Sequence, residues 1–126
     1  MPQLIFVGLG GALGAIARYL LATHIHSLWS GALPLGTLLV NVSGSFFIGV
    51  AFVLLEKMLI HPDWRSVLVV GFLGAFTTFS TFSLETVELT MRGEVLVAAL
   101  YTLASVMICI GGAAAGIWLS RLSLGA

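Results

Sequence analysis

Three groups of side chains carry the chemistry this chain can offer, and none of them makes a catalytic constellation. Thr37, Asn41 and Ser45 stand at i, i+4 and i+8, so a helix through them places all three on one face. Phe79, Phe82 and Thr86 share a face at helical spacing, with Ser83 beside them. Tyr101 and Ser105 form a third such pair. A side-chain amide has two N–H donors and a hydroxyl has one, and the edge of an aromatic ring carries partial positive charge. Groups of this kind suit a small anion, attracting it in a directed but modest way. The alternative for each is packing: an interhelical hydrogen bond for Asn41, core contacts for the phenylalanines.

The chain is organised around residues 71–83, Gly-Phe-Leu-Gly-Ala-Phe-Thr-Thr-Phe-Ser-Thr-Phe-Ser. Two glycines, five hydroxyls and four phenylalanines occupy these thirteen residues, in the middle of an apolar run. Polar or non-helical backbone at membrane depth survives only where protein or a cavity shields it. The stretch is therefore expected to interrupt its helix at the functional centre. Carbonyls freed between Gly74 and Thr77 would need partners: a hard cation in an oxygen cage, water, or the hydroxyls of Thr77 and Thr78. Glu85 and Glu88 follow, where a solvated helix end accounts for them.

The fold that positions these residues must be a membrane fold. Of 126 residues, 60% are hydrophobic and 8% charged, with a mean hydropathy of +1.16; soluble domains carry about a quarter charged residues. A formal net charge of zero argues against a nucleic-acid surface. A spanning helix needs about 20 apolar residues, and four segments qualify: 4–22, 33–55, 66–91 and 95–119. The connectors 23–32, 56–65 and 92–94 leave no room for a soluble domain, so residues 1–126 read as a single all-α, four-helix transmembrane unit. The first apolar run lacks a basic start and is not expected to be a cleaved signal peptide.

Small residues recur along these helices. Gly10 and Gly14, and again Gly112 and Gly116, have the spacing that lets membrane helices approach closely. Arg18 is the single charge of the first span, either a snorkelling interface residue or an anion-attracting mouth. Trp29, Trp64, Trp118 and Arg121 read as interface anchors. Cys109 has no disulfide partner and reads as a small packing residue; His24, His26 and His61 show no metal-site spacing. With four spans, Lys57, Arg65 and Arg121 share one side and Arg18 and Arg92 the other. That near-balance gives almost no orientation bias, so the chain is expected to insert both ways and pair as an antiparallel dual-topology homodimer.

Three stretches together resemble the Fluc (CrcB) fluoride channels. They are Gly71-x-x-Gly74-x-x-Thr77-Thr78-Phe79-Ser80-Thr81-Phe82-Ser83-x-Glu85, Gly11-x-x-Gly14-x-x-x-Arg18-Tyr19, and Pro34-Leu35-Gly36-Thr37-Leu38-x-x-Asn41. One departure is Ala75, where many members have a second glycine. The resemblance implies a passive, fluoride-selective channel in the cell's inner (plasma) membrane, multi-pass, with two pores per antiparallel homodimer. It implies that Phe79 and Phe82 turn ring edges toward fluoride, that Asn41 donates its amide, and that Thr37 and Ser83 add hydroxyls. Tyr101 and Ser105 are further pore candidates, and Arg18 belongs to the vestibule. A structural sodium ion at the dimer centre would be held by backbone carbonyls of Gly74 and Thr77, two per chain and four in the dimer. A rival, a small dual-topology exporter of organic cations, wants a carboxylate in the first helix, and 4–22 has none. A second rival is an assembly subunit without transport of its own. Nothing suggests an enzyme.

Overall fold

The computed structural model describes residues 2–125, which form helices and short turns without a strand among them. The elements are α1 (Pro2–Leu28), α2 (Leu35–Glu56), a π-helical segment (Arg65–Leu73) that runs into the single turn α3 (Gly74–Phe76), α4 (Phe79–Met91) and α5 (Val95–Ser123). Four spans are long and apolar enough to cross a membrane: Pro2–Leu28, Leu35–Glu56, Arg65–Met91 and Val95–Ser123.

The ends differ from the sequence expectation where helix and hydrocarbon part company. α1 continues past Ala22 to Leu28, so His24 and His26 lie on a helix rather than in a connector. Hydropathy marks what sits in lipid, whereas helical hydrogen bonds carry on into polar sequence. α5 likewise runs to Ser123. The third span differs in kind, because nine of its residues, Arg65–Leu73, are π-helical, a rare form in runs of this length.

Backbones rather than large side chains join the spans. A Cβ at Gly10 would collide with the Val67 carbonyl, and one at Gly14 with the Phe72 carbonyl. From the other side, a Cβ at Gly71 would lie 2.8 Å from the Val7 carbonyl. The glycines of α1 thus let the π-helical segment lie directly against it. α2 and α5 meet the same way, with Gly49 against the Ala113 carbonyl and Gly116 against the Phe46 carbonyl.

A small core of Leu38, Phe82, Leu89, Ala98 and Tyr101 ties α2, α4 and α5 together. The α4–α5 turn that aligns it needs Gly93, whose φ of +82° is left-handed and open to glycine at little steric penalty. There Gly93 N–H donates to Thr90 O at 3.1 Å and Glu94 N–H to Leu89 O at 2.8 Å, which closes the helix end in a Schellman motif. Only 11–33% of each span's most apolar window is buried, so most of the apolar surface looks outward.

Candidate functional site

The third span holds two extended residues, Thr77 (φ −81°, ψ 155°) and Thr78 (φ −148°, ψ 114°), between α3 and α4. In a continuous α-helix each N–H returns to the carbonyl four residues back. Thr77 still does so, donating both its N–H (3.1 Å) and its hydroxyl (2.9 Å) to Leu73 O. Thr78 does not. Its N–H donates to Asn41 Oδ1 at 2.7 Å, and Asn41 Nδ2 donates back to Thr78 O at 3.0 Å. Three residues on, Thr81 N–H donates to Thr78 Oγ1 at 3.2 Å rather than to Thr77 O, the normal work of an N-cap threonine. The carbonyls of Gly74 and Thr77 thereby lose the amides a helix would supply. That of Ala75 accepts from Arg18 Nε at 3.0 Å. Gly44 makes room for the junction, since a Cβ there would collide with Thr77 Cγ2.

Two helix ends of opposite polarity therefore face each other. α3 ends in carbonyls and α4 begins with amides, and each end carries about half an elementary charge of the matching sign. In general, positive charge is favoured at the carbonyl end of a helix and negative charge at its amide end.

Beside the junction lies a recess of about 390 Å³, lined by Asn41, Ser45, Gly74, Thr77, Thr78, Phe79, Phe82 and Ser105 among apolar side chains. Phe79 is 76% exposed and Phe82 only 8%, with ring centroids 5.4 Å apart at 59°. Phe82 in turn meets Tyr101 edge-on, 5.1 Å away at 65°. Tyr101 is fully buried, and its hydroxyl donates to Glu85 Oε1 at 3.0 Å. Glu85 also lines a second recess of about 370 Å³, with His26, Trp29, Glu88, Arg92 and Glu94. The aromatic row Phe79–Phe82–Tyr101 thus leads from one recess toward the other.

Of the residues singled out in the sequence, Asn41, Gly74, Thr77, Phe79, Phe82 and Ser105 come together around the first recess. Thr37, Ser83, Tyr101 and Arg18 do not line it. Thr37 is buried, and the Ser83 hydroxyl donates to Phe79 O at 2.9 Å within its own helix. Arg18 lies ten residues before the end of α1, half-buried, and bonds the third span. Among the described residues, no group of three or more His, Cys, Asp and Glu could hold a metal ion; the oxygens beside the first recess are those of the backbone, the hydroxyls and Asn41.

The family model described as CrcB-like protein, Camphor Resistance (CrcB), matches residues 5–117. The chain belongs to this family. A relative in Hahella chejuensis is 48% identical over 125 residues, covering 98% of both chains. One in Magnetococcus marinus is 46% identical over 95% of this chain and 98% of its own, and one in Geobacter sulfurreducens is 46% identical over 96% and 98%. All three are named fluoride-specific ion channel FluC. These are the names of channels, not enzymes, and with the four apolar spans they make the CrcB-like chain a multi-pass membrane protein.

Two residues of the CrcB-like chain gain partners here that the sequence did not name. Thr78, whose hydroxyl the sequence offered as a cap or a replacement for freed backbone bonds, is also the hub that joins α2 to α4 through Asn41 and Thr81. Glu85, read as a solvated helix end, is the acceptor for the buried Tyr101 hydroxyl. The cap was legible for Thr78, because threonine is a preferred residue just before a helix start, whereas its bond to Asn41 was not. No signal was available for Glu85, whose partner lies on another helix.

Proposed function

We propose that this protein is a fluoride-selective channel that lets fluoride leave the cell passively across the inner membrane. The observation that carries this reading is the convergence of Asn41, Phe79 and Phe82 at the amide end of α4, beside a recess free of lysine and arginine. Fluoride is small and strongly hydrated, so a pathway must replace its water with donors. A deeply buried cation would hold it too tightly, and conduction needs several weak sites. Asn41 uses one Nδ2 hydrogen on Thr78, which leaves the second for an anion. The edges of Phe79 and Phe82 add positive character without a full charge. The relatives named as fluoride-specific channels support the choice of ion.

The functional unit in this reading is an antiparallel homodimer with two pores, in which the third span works as a broken helix. A second copy would cover the recess and the exposed Phe79. The balance of basic residues, three against two, supports insertion in both orientations. Reporters fused to the C-terminus should appear on both sides of the membrane in comparable amounts, and a single orientation would contradict this.

A sodium ion at the two-fold axis fits the residues present. The Gly74 and Thr77 carbonyls, which lack helical amides, would hold it, and hard cations favour such oxygens. Bound there, the ion would supply positive charge to the carbonyl end of α3; the chain's own part is to present those oxygens and keep the junction open.

Protein reconstituted into fluoride-loaded liposomes and followed with a fluoride electrode tests the channel reading. Rapid efflux of fluoride, with chloride retained in matched vesicles, is expected. No efflux from well-folded dimer would overturn it and favour an assembly subunit.

A further inference from the structure

We propose that Arg18 is a positioning residue for the third span, holding the last turn of α3 open by tying the Ala75 carbonyl to α1. In an uninterrupted α-helix that carbonyl would accept from the N–H of Phe79, four residues on. Instead Arg18 Nε, 57 residues away in sequence, lies 3.0 Å from it. That oxygen has two lone pairs, so the guanidinium acts by tying it to α1 rather than by filling it, and the Ala75 carbonyl is held for α1 instead of the α4 amides. This bond stabilises the interrupted form and not the continuous one, and only such a differential contact can shift a balance between two forms.

Asn41 acts in the same sense one step along. It takes the Thr78 N–H that a continuous helix would return to Gly74. Side chains from α1 and α2 thus hold the two sides of the junction apart. Asn41 leaves the Gly74 carbonyl without its helical amide, and the Thr78 cap on Thr81 N–H does the same for that of Thr77. Arg18 uses its Nε, the donor nearest the stem, so four of the five guanidinium N–H groups stay free. Positioning and charge are therefore separable. The Nε2 of glutamine stands the same number of bonds from Cα as the Nε of arginine, is neutral, and donates. Lysine keeps the charge but moves its donor one bond further out and loses the planar group.

Hydrogen exchange on the full-length protein, read on peptides that cover 72–82, separates these roles. Arg18→Gln is expected to exchange like the parent across the junction. Arg18→Lys and Arg18→Met, which release the Ala75 carbonyl to the Phe79 N–H, should exchange more slowly at the junction by roughly ten- to a hundredfold, the shift expected from losing a hydrogen bond from a charged donor. Faster exchange would overturn the proposal. Where Arg18→Met fails to fold, the glutamine–lysine pair decides. Parent-like exchange in Arg18→Lys with slowed exchange in Arg18→Gln would overturn the proposal in favour of charge alone, and parent-like exchange in all variants would overturn it outright. The sodium concentration that half-restores fluoride efflux is a second reading, which rests on the channel proposal. It should rise in Arg18→Lys and Arg18→Met but not in Arg18→Gln. A parent that needs no sodium would count against the sodium site and leave the exchange result to judge Arg18.

Discussion

The two halves of the third span are held in opposite ways. The π-helical segment before the junction lies on α1 through glycines, backbone against backbone, with Gly10, Gly14 and Gly71 leaving no space for a Cβ. α4 after the junction is held by side chains, with Phe82 edge-on to Tyr101 and Tyr101 bonded to Glu85. A backbone clamp fixes where carbonyls emerge, because nothing soft lies between the two chains. A side-chain clamp fixes ring orientation yet leaves one ring, Phe79, uncovered in the single chain. In the proposed function the first half presents oxygens and the second presents ring edges and amides.

Substitutions that add or remove a single group should break this comparison unequally. The largest effect on stability is expected at Gly14→Ala, whose methyl would run into the Phe72 carbonyl. Overpacking against backbone should destabilise by about 1–3 kcal/mol, read as a lower melting temperature. The neighbouring Gly8→Ala, with nothing within 4 Å of its Cβ, should leave both stability and flux at parent values and calibrates the series from below.

Between these extremes, the phenylalanines should separate function from packing. Phe82→Ile and Phe79→Ile keep apolar bulk but lose the positive ring edge, so each should slow fluoride efflux roughly tenfold or more. Phe82→Ile should also cost about 1 kcal/mol of stability, because it shrinks a buried core side chain. Phe79→Ile should not, since that ring is 76% exposed in the chain. If both variants conduct like the parent, the rings are packing groups only.

Much of this was legible in the sequence, for reasons that also explain what was not. The four spans follow from apolar runs of bilayer length, and the close helix contacts from glycines four apart. The π-helical geometry of Arg65–Leu73 left no trace, because periodicity is unreadable where nearly every side chain is apolar. Arg18 was read for its charge near a helix end; its bond to Ala75 spans 57 residues and depends on how α1 crosses the third span. Asn41 was open to two readings, and its bond to Thr78 realises the interhelical one while leaving a donor spare. Tyr101 and Glu85 meet only because the Gly93 turn brings α4 and α5 side by side.

Fluoride efflux measured after sodium is exchanged for a large organic cation tests most directly whether the carbonyl end and the ring-edge end serve one device. Flux is expected to fall away in sodium-free buffer and to return when sodium is added on either side of the membrane. Unchanged flux after thorough exchange would contradict it, and would leave the Gly74 and Thr77 carbonyls to water or to the threonine hydroxyls.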